Sequence, residues 1–153
     1  MRNKKLKVYL ASRHEDRDEI IKIRKQLLKH GIEVTSRWLL GGGVLKTNIV
    51  ENEEEGSLRV LRNDLEDIDR ADVVVVFSPK KAFGNGTGGR HVEFGYSLAQ
   101  TITSGKPLIL VGFRENVFHW HRDVICLRSN KQLINRLVDL SFSKTEGHVY
   151  DRT

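Results

Sequence analysis

The sequence predicts an α/β protein: a three-layer sandwich around a five-stranded parallel sheet, flavodoxin- or Rossmann-like, with strand order 2-1-3-4-5. Three observations predict it. Short apolar runs alternate with amphipathic segments along the chain, the pattern of repeated strand–helix–strand units. The run Asp72-Val-Val-Val-Val-Phe77 is continuously apolar after its first residue, as a strand covered by helices on both faces must be. No internal repeat or linker interrupts the 153 residues, so residues 1–153 read as a single domain, long enough for a proper core.

The elements follow in order. Leu6–Ala11 reads as the first strand, entered from a short basic tail that lacks the apolar stretch of a signal peptide. Glu15–His30 carries Ile20, Ile23, Leu27 and Leu28 at helical spacing, and Gly31 supplies a stop. Ile32–Trp38 is the second strand. Leu39–Gly56 holds three consecutive glycines and an acidic run, so it reads as a mobile loop or lid. Leu58–Arg70 is a second helix with Leu58, Leu61, Leu65 and Ile68 as its inward stripe. Ala71–Phe77 is the central strand, Ser78–Gly89 a Gly-rich loop and Arg90–Thr103 the third helix. Gly105-Lys-Pro107 turns into the strand Leu108–Gly112. Val124–Leu127 makes a short fifth strand, and the last helix falls within Asn130–Leu140.

Composition narrows the function. The longest apolar runs, Val73–Phe77 and Leu108–Val111, are far too short to span a membrane. A single cysteine, Cys126, excludes an internal disulfide framework and fits a reducing, cytoplasmic setting. Its apolar neighbours favour a buried packing role over a reactive thiol. The net charge of +6 invites an anionic ligand, although it equally serves solubility. The charges are mixed, and no basic stripe interleaved with aromatics points to a nucleic-acid polymer. A small phosphorylated molecule fits better. The histidines His14, His91, His119 and His121 show no metal-ligand spacing, so neither a metal nor a cofactor is expected.

In an open parallel sheet, ligands lie beyond the carboxyl ends of the strands. That rule gathers Ser12-Arg13-His14, the stretch from Ser78 to Glu93, and the segment from Phe113 to His119 around one crevice. Glu93 falls in the first turn of the third helix on these boundaries. There it can stay ionised beside the positive helix end and attack an electrophile, or it can simply complement the dipole. Asp64 lies at the border of the apolar stripe of the second helix, where partial desolvation would raise its pKa and suit proton transfer. Asp67 points further towards water. One ionised and one protonatable carboxylate are the usual equipment for cleaving a glycosidic bond. The tract FGNGTGGR, with Thr87 and Gly89, can cradle phosphate at a helix N-terminus or serve as a flexible connection. Arg13 and Arg90 can hold an anion. Trp38, Phe118 and Trp120 can stack on a base or pack in the core.

The motifs VYLAS at 8–12, DLEDIDRADVVVVFS at 64–78, GGRHVEFGYSLA at 88–99 and GKPLILVG at 105–112 resemble the nucleoside 2-deoxyribosyltransferase superfamily. That superfamily includes transferases that exchange bases on 2′-deoxyribose and 2′-deoxynucleoside 5′-monophosphate N-glycosidases. The resemblance implies Glu93 as nucleophile and Asp64 as the partner that positions it or manages the proton of the leaving base. It implies Tyr9 beside the sugar and the nucleophile. A 5′-phosphate would meet Ser12, Arg13 and Thr87, and Asn116 and His119 would reach a site of this subunit or a neighbour. The implied partners are a small nucleoside or nucleotide and a free base, within a homodimer or larger homo-oligomer. A non-catalytic nucleotide-sensing module and an FMN carrier are the readings from other classes.

Overall fold

The computed structural model describes residues 4–41, 53–79 and 88–145. Five parallel strands, β1 (Lys7–Ala11), β2 (Glu33–Val34), β3 (Val73–Phe77), β4 (Leu108–Val111) and β5 (Val124–Leu127), form one sheet in the order β2-β1-β3-β4-β5. Four helices cover it: α1 (Arg17–Lys29), α2 (Glu53–Arg70), α3 (Gly89–Ser104) and α4 (Asn130–Thr145). This is the flavodoxin-like sandwich that the alternation of runs predicts. No helix among the described residues is long and apolar enough to cross a membrane.

Side chains alternate across a strand, so the sheet has two separate cores. Val8, Leu10, Val73, Val75 and Ile109 face Ile20, Ile23 and Leu27 of α1 and Leu133 and Leu137 of α4. Tyr9, Ala11, Val74, Val76, Leu108 and Leu110 face Ile68 of α2 and Phe94 and Leu98 of α3. The period of two therefore delivers Tyr9 to the same layer as the helices that carry Asp64 and Glu93.

Several boundaries differ from the sequence reading, each for a local reason. The second strand has only two residues. Beyond Val34 the ladder is continued by side chains: Leu10 N donates to Ser36 Oγ at 2.7 Å, and Ser36 Oγ donates to Leu10 O at 3.2 Å. A hydroxyl that satisfies both backbone groups frees the chain to turn, and Arg37–Leu40 form a 3-10 turn. Trp38 within it donates Nε1–H to Leu10 O at 2.8 Å. The second helix begins at Glu53, not Leu58; an acidic run complements a helix start, so composition that resembles a loop opens a helix. Residues 42–52, the rest of the expected lid, lie outside the described residues. Leu28, Leu58 and Leu61 were expected inside and are exposed, because the cores of α1 and α2 close on Leu27 and Ile68 instead.

The carboxyl ends of β3 and β4 pack closely. Gly112 follows β4 with φ +111°, and a Cβ placed there would lie 2.9 Å from Ser78 Cβ. Ser78 in turn donates Oγ–H to Phe113 O at 2.6 Å. Gly112→Ala is expected to cost about 1–3 kcal/mol through positive-φ strain and overpacking. A urea titration measures this; an unchanged midpoint would show that the two strand ends can separate freely.

Candidate active site

Tyr9, Asp64 and Glu93 come together on the α2/α3 side of the sheet, from β1, α2 and α3. Tyr9 is fully buried, and its phenol donates to Glu93 Oε1 at 2.5 Å. The tyrosine has a reason to be there: a hydroxyl on an otherwise apolar strand must find an acceptor when buried. Burial first, then the Glu93 and Asp64 charges, raise its pKa well above the ordinary phenol value. It therefore stays a donor.

Glu93 lies one residue deeper in its helix than expected, which takes it out of the first turn. The helix starts at Gly89, with Gly88 as its cap at φ +80°, and no acidic residue falls in its first turn. Glu93 is thus beyond the free N–H groups that would hold it ionised. Burial pushes its pKa up to about 7, with Asp64 adding to the rise and Tyr9 and Arg90 opposing it. Asp64 is pushed up to about 6, again mainly by burial, with Asp67 adding and Arg37 opposing. Burial thus raises both carboxylates above their ordinary range, and each adds to the shift of a neighbour, so Asp64 and Glu93 titrate as a pair.

This gives a stability prediction. The folded pKa of Glu93 lies above its unfolded value, so its contribution is most favourable in acid and is lost as pH rises through about 7. Glu93→Gln, which cannot ionise, is expected to exceed the wild type by about 3 kcal/mol at pH 8 and to lose that advantage near pH 4. Urea unfolding at both pH values checks it; equal gains at both would point to packing instead of charge.

The remaining expected residues divide sharply. Asp67 does not point towards water: it is 0% exposed. Its oxygens accept from Arg37 N (2.8 Å), Arg37 Nε (2.8 Å) and Arg70 Nη2 (3.0 Å). Its helix face is covered by the turn that Arg37 begins, which periodicity along α2 alone does not reveal. With its oxygens so engaged, Asp67 holds structure and is corrected from a substrate contact. His119 is likewise 0% exposed, packed with its ring centroid 4.4 Å from that of Phe94. Its Nδ1 accepts from Glu115 N at 3.1 Å, and burial lowers its pKa. Asn116 caps the turn Val117–Trp120 by accepting from Phe118 N. Both serve the loop after β4. Phe118 and Trp120 are exposed, and Trp120 carries the Arg114 guanidinium at 4.3 Å.

Arg13 is paired with Asp16 at 3.1 Å. Ser12 Oγ is buried and has no hydrogen-bond partner among the described residues. Ser12 also lines a cavity of about 320 Å³ with Ser78, Gly112, Arg128, Ser129 and Asn130, on the α1/α4 side. Tyr9, Asp64 and Glu93 do not line it. Gly89 opens α3, where a side chain would meet nothing within 4 Å among the described residues. Thr87 lies outside the described residues.

Two features escaped the sequence reading. Arg37 anchors α2 to the turn after β2, through Asp67, Glu66 and Asn63 O. Arg90 pairs both terminal nitrogens with Glu115. His91, Glu115 and His119 also bring ligand-type atoms within 4.8 Å of one another, although no spacing suggested it. These atoms are engaged: Arg90 takes both Glu115 oxygens, and a backbone N–H takes His119 Nδ1. The group fastens the loop after β4 to the start of α3.

No family model matches this chain, and no curated protein sequence matches it. Solved structures do. The CMP N-glycosidase BcmB of Clostridium botulinum shares 18% identity over 86% of this chain and 97% of its own, with a TM-score of 0.53. The 2-deoxyribosyltransferase of Bacillus psychrosaccharolyticus shares 21% identity over 84% of this chain and 90% of its own, with a TM-score of 0.62. The likeness establishes a shared fold along most of both chains. It is the fold that the sequence resemblance to the nucleoside 2-deoxyribosyltransferase superfamily implies.

Proposed function

We propose that this protein is a member of that superfamily and cleaves the N-glycosidic bond of a 2′-deoxyribonucleoside, transferring the deoxyribosyl group to another base. The observation that carries the reading is the trio on the α2/α3 face of the sheet: two partly buried carboxylates that act on each other, Asp64 and Glu93, with the buried Tyr9 phenol donated to Glu93.

The chemistry follows from those groups. Ionised Glu93 attacks the anomeric carbon from the face opposite the base. The carbon–nitrogen bond breaks, its electron pair leaves with the base, and protonated Asp64 supplies the proton that the base needs. The product is a glycosyl ester on Glu93. A second base then attacks the same carbon, releases the carboxylate and returns its proton to Asp64, so two inversions give net retention. Tyr9 orients the nucleophile and stabilises the carboxylate as it leaves.

The reactive form holds one proton on the pair. Coupled groups titrate as a pair, here about 6 and about 7. kcat/KM is therefore expected to follow a narrow bell with its maximum between those values. A flat profile from pH 5 to pH 9 would remove the pair from the rate law (about two units either side of the maximum).

A second reading has its own support. Hydrolysis of a 5′-monophosphate, with water as acceptor, would use the unpartnered Ser12 hydroxyl at the end of β1 and the net charge of +6. One experiment separates the readings. Each deoxynucleoside and deoxynucleoside monophosphate is incubated with and without a free acceptor base, and products are separated by chromatography. Base exchange supports transfer, and base release without acceptor supports hydrolysis. Nucleotide binding with no release from any substrate would leave a sensing module.

A further inference from the structure

We propose that Glu115 is a positioning residue for Glu93: it captures the Arg90 guanidinium that would otherwise close onto the Glu93 carboxylate. Arg90 and Glu93 are three residues apart on α3, so their side chains are neighbours on one face. An arginine and a glutamate at that spacing pair readily, and such a pair would tie up the electrons that the nucleophile must offer. The structure avoids it. Arg90 presents its fork to Glu115, with Nη1 on Oε2 and Nη2 3.2 Å from Oε1. The two side chains are 9% and 15% exposed, so water screens the contact little. The capture is incomplete, because Arg90 Nε–H is buried with no acceptor among the described residues. An under-satisfied cation thus stands one turn before Glu93, held back by one carboxylate.

The captor is itself placed against the same turn of α3. Glu115 N donates to His119 Nδ1, and His119 packs on Phe94, the residue after Glu93. The groups that face Glu93 are Tyr9 from β1, Asp64 from α2 and Arg90 from its own helix. Around the captor stand Arg13 from the loop after β1, His91 from α3, and Arg114 and His119 from the loop after β4. Asp16 and Glu15 also act on Arg13, and Asp16 is already paired with it at 3.1 Å, so removing the charge of Glu115 leaves Glu93, on the same helix face, to receive the buried guanidinium, and an unpaired buried cation seeks a carboxylate.

The kinetic consequence rests on Glu93 being the nucleophile; the electrostatic consequence does not, and the test keeps them apart. Side-chain carboxyl carbons of glutamate are labelled, and the Glu93 resonance is assigned by its loss in Glu93→Gln. Its titration is followed by NMR in the wild type, in Glu115→Gln and in Glu115→Gln/Arg90→Met. The midpoint is expected to fall by about one pH unit or more in the single variant and to return close to the wild type in the double. Base release at pH 7 is expected to fall about tenfold in the single variant and to recover in the double, in kcat and not in KM. An unmoved or raised midpoint in Glu115→Gln overturns the proposal. Arg90→Met covers the case in which Glu115→Gln fails to fold: a small rise in the Glu93 midpoint, as loss of the distant Arg90 charge requires, supports the capture, and a rise of about one unit or more overturns it. A shifted midpoint in a protein that releases no base from any substrate would overturn the proposed function and leave the capture standing.

Discussion

Glu93→Ala is expected to abolish base release, lowering kcat by about a thousandfold or more while nucleoside binding persists. The expectation follows from geometry more than from residue type. Glu93 is the acceptor of the Tyr9 phenol and is electrostatically coupled to Asp64. In the proposed mechanism it is the group that forms the covalent ester. Removing it leaves Asp64 to protonate a leaving base with nothing to receive the sugar. Single-turnover assays on an authentic substrate, with calorimetry on the same variant, separate lost chemistry from lost binding. Unchanged turnover would remove Glu93 from the mechanism. A glutamine at this position keeps an oxygen for Tyr9 yet cannot attack, so Glu93→Gln should be as inactive as the alanine while unfolding later at pH 8.

Asp67→Ala is expected to destabilise the fold by about 3 kcal/mol. The Asp67 carboxylate is fully buried and joins two elements: the turn after β2, through Arg37, and its own helix α2, where it also accepts from Arg70 one turn further along. Removing it strands the Arg37 backbone N–H and leaves a void. Arg37 remains partly in water and keeps Glu66, which limits the loss. The effect should reach the site, because Asp67 and Arg37 act oppositely on Asp64. Urea unfolding gives the first quantity and the acid limb of the pH profile the second. A loss below about 1 kcal/mol would mean that water replaces the carboxylate and that the turn after β2 is anchored elsewhere.

The proposed trio of Tyr9, Asp64 and Glu93 could be named from sequence because local patterns mark the elements that carry it. The valine run sets β3, and the Gly-rich tract announces a helix start within a few residues of Glu93. The alternation in β1 then assigns Tyr9 a face once the helices above it are known. Asp67 was misread because the stripe through Leu58 and Leu61 is not the buried face of α2: both leucines are exposed while Asp67 is not. The period of a helix names a candidate face, and the neighbour that covers it decides. Here the neighbour is Arg37, thirty positions away. His119 was misread for the same reason. A histidine in a polar loop looks available until Phe94 packs over it.

By itself, the sequence determined the layers of this protein, the order of its elements and the carboxylates that could do chemistry. Those are matters of periodicity, chain reversal and residue type, which act over a few residues. The tertiary structure decided the electrical state of the site. Burial raised both Glu93 and Asp64, Asp67 became a buried tie between α2 and the turn after β2, and Arg90 faced Glu115. Those outcomes depend on desolvation and on Coulomb interactions between groups far apart in the chain, and both are set only when the elements pack.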